Sequence, residues 1–398
     1  MASAPITTPA TTGPVPPTDQ TIKIGTRRSL LAQVQAREVE KQLKQAWPSH
    51  TFEIVAMSTT GDNNQTTALH KFNDKALWTQ ELEALLQKKE LGIIVHCLKD
   101  MPTQLPADCG IGCITKREDP RDAFVLKGSL RGRYTSLAQL PEGSVVGTSS
   151  LRRTAQMKRQ FSHLKFADVR GNIGTRLAKL DNPESEYTAI VIAVAGLARL
   201  GMSERITSYL SSGNGGMLHA VGQGALAIEI LSEAEDMKTL LAAIGDERTT
   251  LAGLAERSLM RTLEGGCSVP IGVETHWVAK SQSLASNVGT GVGVGIKPAE
   301  DYHQLSGVAQ PQGSPSHDPL ASKGEDSELT DELVMKAIVC SLDGQEAAEV
   351  EMRRRLTSRD DADEFGWEVA KALVGKGAAK ILEAINLNRG IIHEQGDA

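Results

Sequence analysis

Leu263-Glu264-Gly265-Gly266-Cys267-Ser268-Val269-Pro270 marks the point at which the sequence changes character. Before it, Leu251, Leu254, Leu259, Thr262 and Leu263 recur near helical spacing, so the two glycines read as a helix stop. After it, the apolar run Val269 to Val273 reads as a strand, with Pro270 at its start, where a missing N–H is tolerated. Cys267 therefore opens a loop, with little side-chain bulk around it. An unpaired cysteine is most often a small buried hydrophobe, but one in such a loop is also accessible to a large reaction partner. The stretch alone leaves both readings open.

Towards the N-terminus, strands alternate with helices. Strands are predicted at Ile22 to Gly25, Phe52 to Met57, Gly92 to His96, Val145 to Gly147, Lys165 to Val169, Ala189 to Val194 and Ala225 to Leu231. Gly92 to His96 is continuously apolar, as in a strand buried on both faces. Helices are predicted after Ser29, with Leu30, Leu31, Val34, Val39 and Leu43 on the apolar side, over Thr79 to Lys89, from Leu151, and over Ala234 to Ile244 and Glu247 to Glu264. Glu118 to Asp122 is polar and broken by Pro120, an inter-domain crossing; Ala225 to Leu231 would return to the first lobe and create a hinged cleft. Towards the C-terminus the pattern is antiparallel. Val269 to Val278, Val334 to Ser341 and Ala347 to Met352 are strands, with a turn at Asp343-Gly344, and a closing helix carries Phe365, Val369, Leu373, Ile381, Leu382 and Ile385.

The chain has 398 residues, enough for two or three domains, and a formal charge of −6 from 43 basic and 49 acidic residues. That balance disfavours nucleic acid and anionic membrane, so any anion site must be a local concentration of basic groups. Five cysteines, Cys97, Cys109, Cys113, Cys267 and Cys340, lack C-x-x-C spacing and suit a reducing, cytoplasmic compartment. His96, Cys97, Cys109 and Cys113 match no common zinc template, so no metal is expected. No membrane-spanning run or export signal is read.

Against this acidic background Arg27, Arg28, Lys75, Lys99, Arg152, Arg153, Arg170, Arg176 and Arg199 stand out. Arg27-Arg28-Ser29 lies between a strand and a helix start, where free N–H groups suit an anion; a solvated surface pair is the other reading. Thr148-Ser149-Ser150 offers hydroxyl caps before Leu151-Arg152-Arg153. The lobe-two arginines follow strands within a turn or two, and in a parallel sheet they would converge on one rim. Guanidinium forks in numbers imply a ligand with many carboxylates or phosphates. Lys99-Asp100 follows a strand end, where a surface ion pair or a functional carboxylate fits equally. Val221-Gly222-Gln223-Gly224 is a loop that a ligand could approach closely.

Val95-His96-Cys97-Leu98-Lys99-Asp100, Gly147-Thr148-Ser149-Ser150-Leu151-Arg152-Arg153, Val169-Arg170-Gly171-Asn172, Val221-Gly222-Gln223-Gly224-Ala225-Leu226 and Leu263 to Pro270 together resemble the porphobilinogen deaminase (hydroxymethylbilane synthase) family, in order, from about Ile22 to the closing helix. The resemblance implies an α/β fold of two periplasmic-binding-protein-like lobes around a cleft plus a smaller α+β domain with a three-stranded antiparallel sheet. The expected division is a disordered tail (1–20), lobe one (21–119 and 222–243), lobe two (120–221) and a cofactor-attachment domain (244–398) with a disordered insertion (281–330).

The resemblance also implies a transferase that joins four porphobilinogen units head to tail, with loss of ammonia, to give hydroxymethylbilane for heme biosynthesis. Its dipyrromethane cofactor would be joined to Cys267 by a thioether. Asp100 would be catalytic; Lys99, Ser149, Ser150, Arg152, Arg153, Arg170, Arg176, Arg199 and Gln223 would hold the cofactor; Arg27, Arg28, Ser29, Gln35 and Lys75 would bind substrate. Cys97 stands where relatives commonly have Ser, and Gln80 where bacterial relatives have Lys. The expected partner is the small-molecule substrate alone, with no nucleic acid and no membrane, acting on a monomer. A non-catalytic solute-binding protein and an RNA-binding protein are the competing classes; the first needs no thiol, the second would lose affinity steeply with salt.

Overall fold

The computed structural model describes residues 13–58, 79–263, 269–280 and 329–385. Expectations that fall on Lys75, on Gly265, Gly266 and Cys267, on residues 1–12 and on 281–328 lie outside the described residues.

Among those residues the strands form two five-stranded sheets and one three-stranded sheet. The first sheet has the order β2-β1-β3-β10-β4, from β1 (Thr21–Arg27), β2 (Thr51–Met57), β3 (Ile93–Cys97), β4 (Cys109–Ile114) and β10 (Leu226–Leu231). The second has the order β7-β6-β8-β5-β9, from β5 (Asp122–Leu126), β6 (Val145–Gly147), β7 (Lys165–Ala167), β8 (Tyr187–Ala193) and β9 (Ser208–Leu210). Each sheet opens with three parallel strands, and its fourth strand runs against them. In both, that fourth strand is the one entered from the other lobe. The chain leaves the first sheet after β4, enters the second at β5, and comes back at β10. Two crossings thus join two mixed sheets, the arrangement of periplasmic-binding-protein lobes.

Strands such as β8 and β10 are buried along most or all of their length because helices cover both faces. In the first lobe α1 (Leu30–Ala46) buries Ala36, Val39 and Leu43 against Ile22, Ile24 and Ile93, and α2 (Gln80–Gln87) buries Leu82 and Leu86 on the other face. In the second, α3 (Leu151–Gln160) covers one face of the sheet, and α4 (Ile173–Asp181) with α5 (Val194–Arg199) covers the other. The third sheet, β11 (Ile271–Ala279), β12 (Leu329–Cys340) and β13 (Ala347–Arg355), is antiparallel and shares one core with α7 (Glu247–Thr262) and α8 (Arg359–Gly375). α6 (Glu235–Ala242) packs under the first lobe.

Several expectations need correction. The sheets are mixed, because β5 and β10 each run against their neighbours. β4, β5 and β9 carried no readable strand signal: β4 interleaves glycine (CGIGCI) and β5 begins with a buried acid, Asp122, which reads as loop. Leu30 is exposed, and Leu31 and Val34 are only partly covered, so the buried side of α1 is rotated towards Gln35, Ala36 and Val39. Residues 13–20 form no helix or strand, yet Pro16 is buried and its carbonyl meets His50 Nε2 at 2.9 Å. β12 begins at Leu329, earlier than Val334, and the closing helix breaks after Gly375 before a second helical run over 378–385.

Candidate functional site

The carboxyl ends of the parallel strands of both sheets carry the candidate residues, where open α/β sheets bind ligands. In the first lobe, Arg27 ends β1 and Ser29 caps α1, its Oγ accepting from the Ala32 N–H at 3.4 Å. Arg28 is exposed at this corner, and its backbone N–H donates to Met57 O, tying the turn to β2. β3 runs into a single 3-10 turn, Leu98–Asp100, that leaves Lys99 half-buried and Asp100 exposed while Leu98 points into the core.

In the second lobe the β6 end supplies three hydroxyls. Thr148 Oγ1 accepts from the Ser150 N–H at 3.2 Å, Ser149 Oγ donates to Val169 O at 3.1 Å, and Ser150 Oγ caps α3 by accepting from the Arg153 N–H at 3.4 Å. After β7 come half-buried Arg170 and Arg176; Arg176 Nε donates to Gly171 O at 2.7 Å. Burial, with Arg153 and Arg170 adding repulsion, pushes the Arg176 guanidinium down to about 10, and Asp100 from the opposite lobe acts against that shift. Asp100 of lobe one and Arg176 of lobe two therefore lie within electrostatic reach of one another.

Arg152 and Arg153, expected to hold cofactor carboxylates, lie mainly inside the protein. Arg152 Nη2 donates to Asp122 Oδ2 at 2.9 Å and its Nη1 to Leu218 O at 2.5 Å. Arg153 Nη2 donates to Asp122 Oδ1 at 2.7 Å and its Nη1 to Val191 O at 3.1 Å. Gln223 is buried and donates to the same Asp122 Oδ1 at 2.9 Å and to Pro120 O at 2.6 Å. Burial alone would push the Asp122 carboxyl up, but the two guanidiniums and the hydrogen bonds from Arg153 and Gln223 outweigh it and hold it far below the usual carboxylate range. Asp122 escaped the sequence reading because its partners are distant in sequence.

Arg199 is also largely inside: its Nε donates to Glu38 Oε2 on α1 at 3.0 Å and its Nη2 to Gly224 O at 3.1 Å, so it braces lobe two against lobe one. Gln35 is buried against Cys97, its Nε2 3.0 Å from the sulfur. Burial, then the Asp100 charge, pushes the Cys97 thiol up, so it is a neutral thiol at pH 7. Among the sequence-expected residues, the rim thus brings together Arg27, Arg28, Ser29, Lys99, Asp100, Ser149, Arg170 and Arg176, while Arg152, Arg153, Arg199, Gln35, Ser150 and Gln223 form its floor and braces.

A model of the porphobilinogen deaminase dipyromethane cofactor binding domain matches residues 22–239, and one of the porphobilinogen deaminase C-terminal domain matches residues 250–292. The chain belongs to the porphobilinogen deaminase family. A porphobilinogen deaminase of Yarrowia lipolytica is 44% identical over 369 residues, covering 92% of this chain and 93% of its own length. Those of Neurospora crassa and Saccharomyces cerevisiae are 43% and 41% identical, covering 93% of this chain in each case and 95% and 98% of their own lengths.

The residues present fit a dipyrromethane, whose side chains are carboxylates. One carboxylate, Asp122, faces two buried guanidiniums, so the floor keeps a surplus positive charge beside Arg170 and Arg176. In addition, the buried Arg153 Nε has no hydrogen-bond partner among the described residues, an orphan donor that an anionic group would satisfy.

Proposed function

We propose that the rim between the two lobes is where this chain joins four porphobilinogen units head to tail, releasing ammonia, to give hydroxymethylbilane for tetrapyrrole biosynthesis, with Asp100 as the catalytic acid–base group and Cys267 as the attachment point of the cofactor. Family membership supports the reaction, and the observation that supports the residue assignment is an exposed carboxylate, Asp100, in the turn that follows β3 and within electrostatic reach of Arg176 of the other lobe. The dipyrromethane, when bound, supplies the pyrrole α-carbon to which the first incoming unit is joined.

Asp100 offers a negative charge at the end of a short, rigid turn. Loss of ammonia from porphobilinogen leaves an electron-poor methylene-pyrrolenine, and a carboxylate beside its ring N–H stabilises that positive charge and accepts the proton lost on coupling. Arg170, Arg176, Lys99 and the hydroxyl of Ser149 bind the acetates and propionates of the cofactor, and Arg27, Arg28 and Ser29 those of the incoming unit, with Lys75 adding a cation. Asp122 keeps the forks of Arg152 and Arg153 oriented in the floor, so that their positive charge would stand ready for the carboxylates of the cofactor without a fresh ordering cost. Growth on a fixed anchor requires the lobes to shift between additions. The reading extends to a cytoplasmic monomer whose only partner is the small-molecule substrate.

Intact mass of the denatured protein tests the attachment. The expected result is a covalent surplus of two pyrrole units in the parent and none in Cys267→Ser; a parent at the bare polypeptide mass, or the same surplus on Cys267→Ser, overturns it.

A further inference from the structure

The turn that carries Asp100 is gripped from the third domain. Arg257, on α7, is 4% exposed, and its Nη1 donates to Met101 O at 3.2 Å while its Nη2 donates to Pro102 O at 2.6 Å. These are the two residues that directly follow Asp100. No carboxylate pairs with this guanidinium among the described residues, and burial, with Arg261 adding repulsion, pushes it down to about 10. A long cation held in the interior by two carbonyls, with Glu229 adding attraction without an ion pair among the described residues, is an expensive way to fill space, and Leu or Met would fill it without desolvating a charge.

A second observation, independent of the first, points to the same contact. One helical turn before Arg257, Gly253 lies so close to the catalytic turn that a Cβ there would come within 2.9 Å of Leu98 Cδ2. From the other side Gly222, on the second crossing, would place a Cβ 2.7 Å from Leu98 Cγ and 3.1 Å from the Leu98 carbonyl carbon. Leu98 is fully buried between them, and its N–H donates to Ala225 O at 3.0 Å. Two glycines thus let α7 and the second crossing close on the Leu98–Asp100 turn, and Arg257 then fastens the segment that leaves that turn.

We infer that Arg257 is a positioning residue for the reaction: by fixing the carbonyls of Met101 and Pro102 it sets the direction in which the Asp100 carboxylate projects into the cleft. Because α7 ends at Thr262, a few residues before Cys267 in the sequence, the same clamp refers the acid to the helix that precedes the tethering residue. A side chain at position 257 never touches substrate on this reading; it acts through the backbone of its neighbour. The inference rests on the role given above to Asp100.

The test compares Arg257→Met, Arg257→Lys, Asp100→Glu and the double variant Arg257→Met/Asp100→Glu as holoenzymes, with Asp100→Ala as reference. Arg257→Met is expected to lower kcat 10- to 100-fold with KM changed less than about 3-fold. Arg257→Lys, which keeps the charge and can reach one carbonyl, recovers part of the loss. In the Asp100→Glu background, where the carboxylate is already displaced, Arg257→Met costs much less than it does alone. Amide exchange provides a readout that does not depend on turnover: the 98–103 peptide exchanges faster in Arg257→Met while peptides from α7 stay protected. Equal kcat losses in the two backgrounds, an unchanged kcat, or unchanged exchange over 98–103 overturns the inference. Undiminished turnover in Asp100→Ala instead overturns the role of Asp100 itself. If Arg257→Met does not fold, the Arg257→Lys pair of measurements decides by the same criteria.

Discussion

At the scale of single residues, the site is built from charges whose partners set their meaning. Asp122 accepts from two arginines and a glutamine, and that is why it remains ionised in the interior. His219 is the opposite case. It is buried, its Nδ1 lies 3.0 Å from the Ala220 carbonyl, its Nε2 has no partner among the described residues, and burial, with the charge of Arg117, pulls its pKa down to about 4. The unfolded chain takes up this proton near pH ~6.5 and the folded chain only near pH 4, so the contribution to stability is complete above ~6.5 and is lost as pH falls between the two. Its full size is about 3 kcal/mol. Urea unfolding of the parent and of His219→Gln at pH 7 and pH 4.5 should show a smaller acid-induced loss in the variant; parallel losses would mean that His219 does not titrate in this window.

At the scale of elements, α8 approaches α7 closely at Gly366. A Cβ on Gly366 would sit 2.1 Å from the Ala255 carbonyl oxygen and 2.9 Å from the Leu259 nitrogen, both backbone atoms that no rotamer change can clear. Gly366→Ala must therefore push the two helices apart and open the core around Phe365, Val369 and Leu373. The expected cost is roughly 2–3 kcal/mol, outweighing the better helix propensity of alanine. A thermal midpoint lower by several degrees checks this by calorimetry, and an equal or higher midpoint would mean that the helices separate without loss. Helix periodicity predicted both helices, but which glycine lies at their crossing depends on the crossing point itself. The strands missed in the sequence have a related cause: β4 and β5 derive their burial from β10 and β8, which pair with them from far along the chain.

At the scale of the molecule, one buried carboxylate joins all three parts. Glu256 on α7 accepts from Arg117 Nη1 at 2.6 Å and Nη2 at 3.0 Å, from the Gly222 N–H at 2.7 Å and from Thr275 Oγ1 at 2.6 Å. Arg117 belongs to the first crossing between the lobes, Gly222 to the second, and Thr275 to the third sheet. Arg117 Nε also donates to Gln223 O, whose side chain reaches Asp122, so a continuous polar path runs from α7 to the arginine floor of the cleft. Glu256→Gln leaves the Arg117 charge buried without its counter-ion and should cost ~3–5 kcal/mol. Denaturant unfolding should register this as a lower midpoint at unchanged slope; a midpoint within error of the parent would show that the junction bears no such load.

The order of most strands and helices, the change to an antiparallel domain after residue 263, and the succession of motifs that carries the family resemblance were written in local pattern, because periodicity and turn chemistry act between residues close in sequence, whereas β4, β5 and β9 were not. The partner of each charge was decided only by the tertiary structure. Arg152, Arg153, Arg170 and Arg176 look alike as letters, yet Asp122 engages the first two within the floor, and the last two stand half-buried at the rim, Arg176 within electrostatic reach of Asp100. Arg257 gave no signal at all, lying in the middle of an ordinary helix until Met101 and Pro102 are folded against it. Desolvation and ion pairing depend on which distant segments meet, and that is a property of the packed chain rather than of any stretch within it.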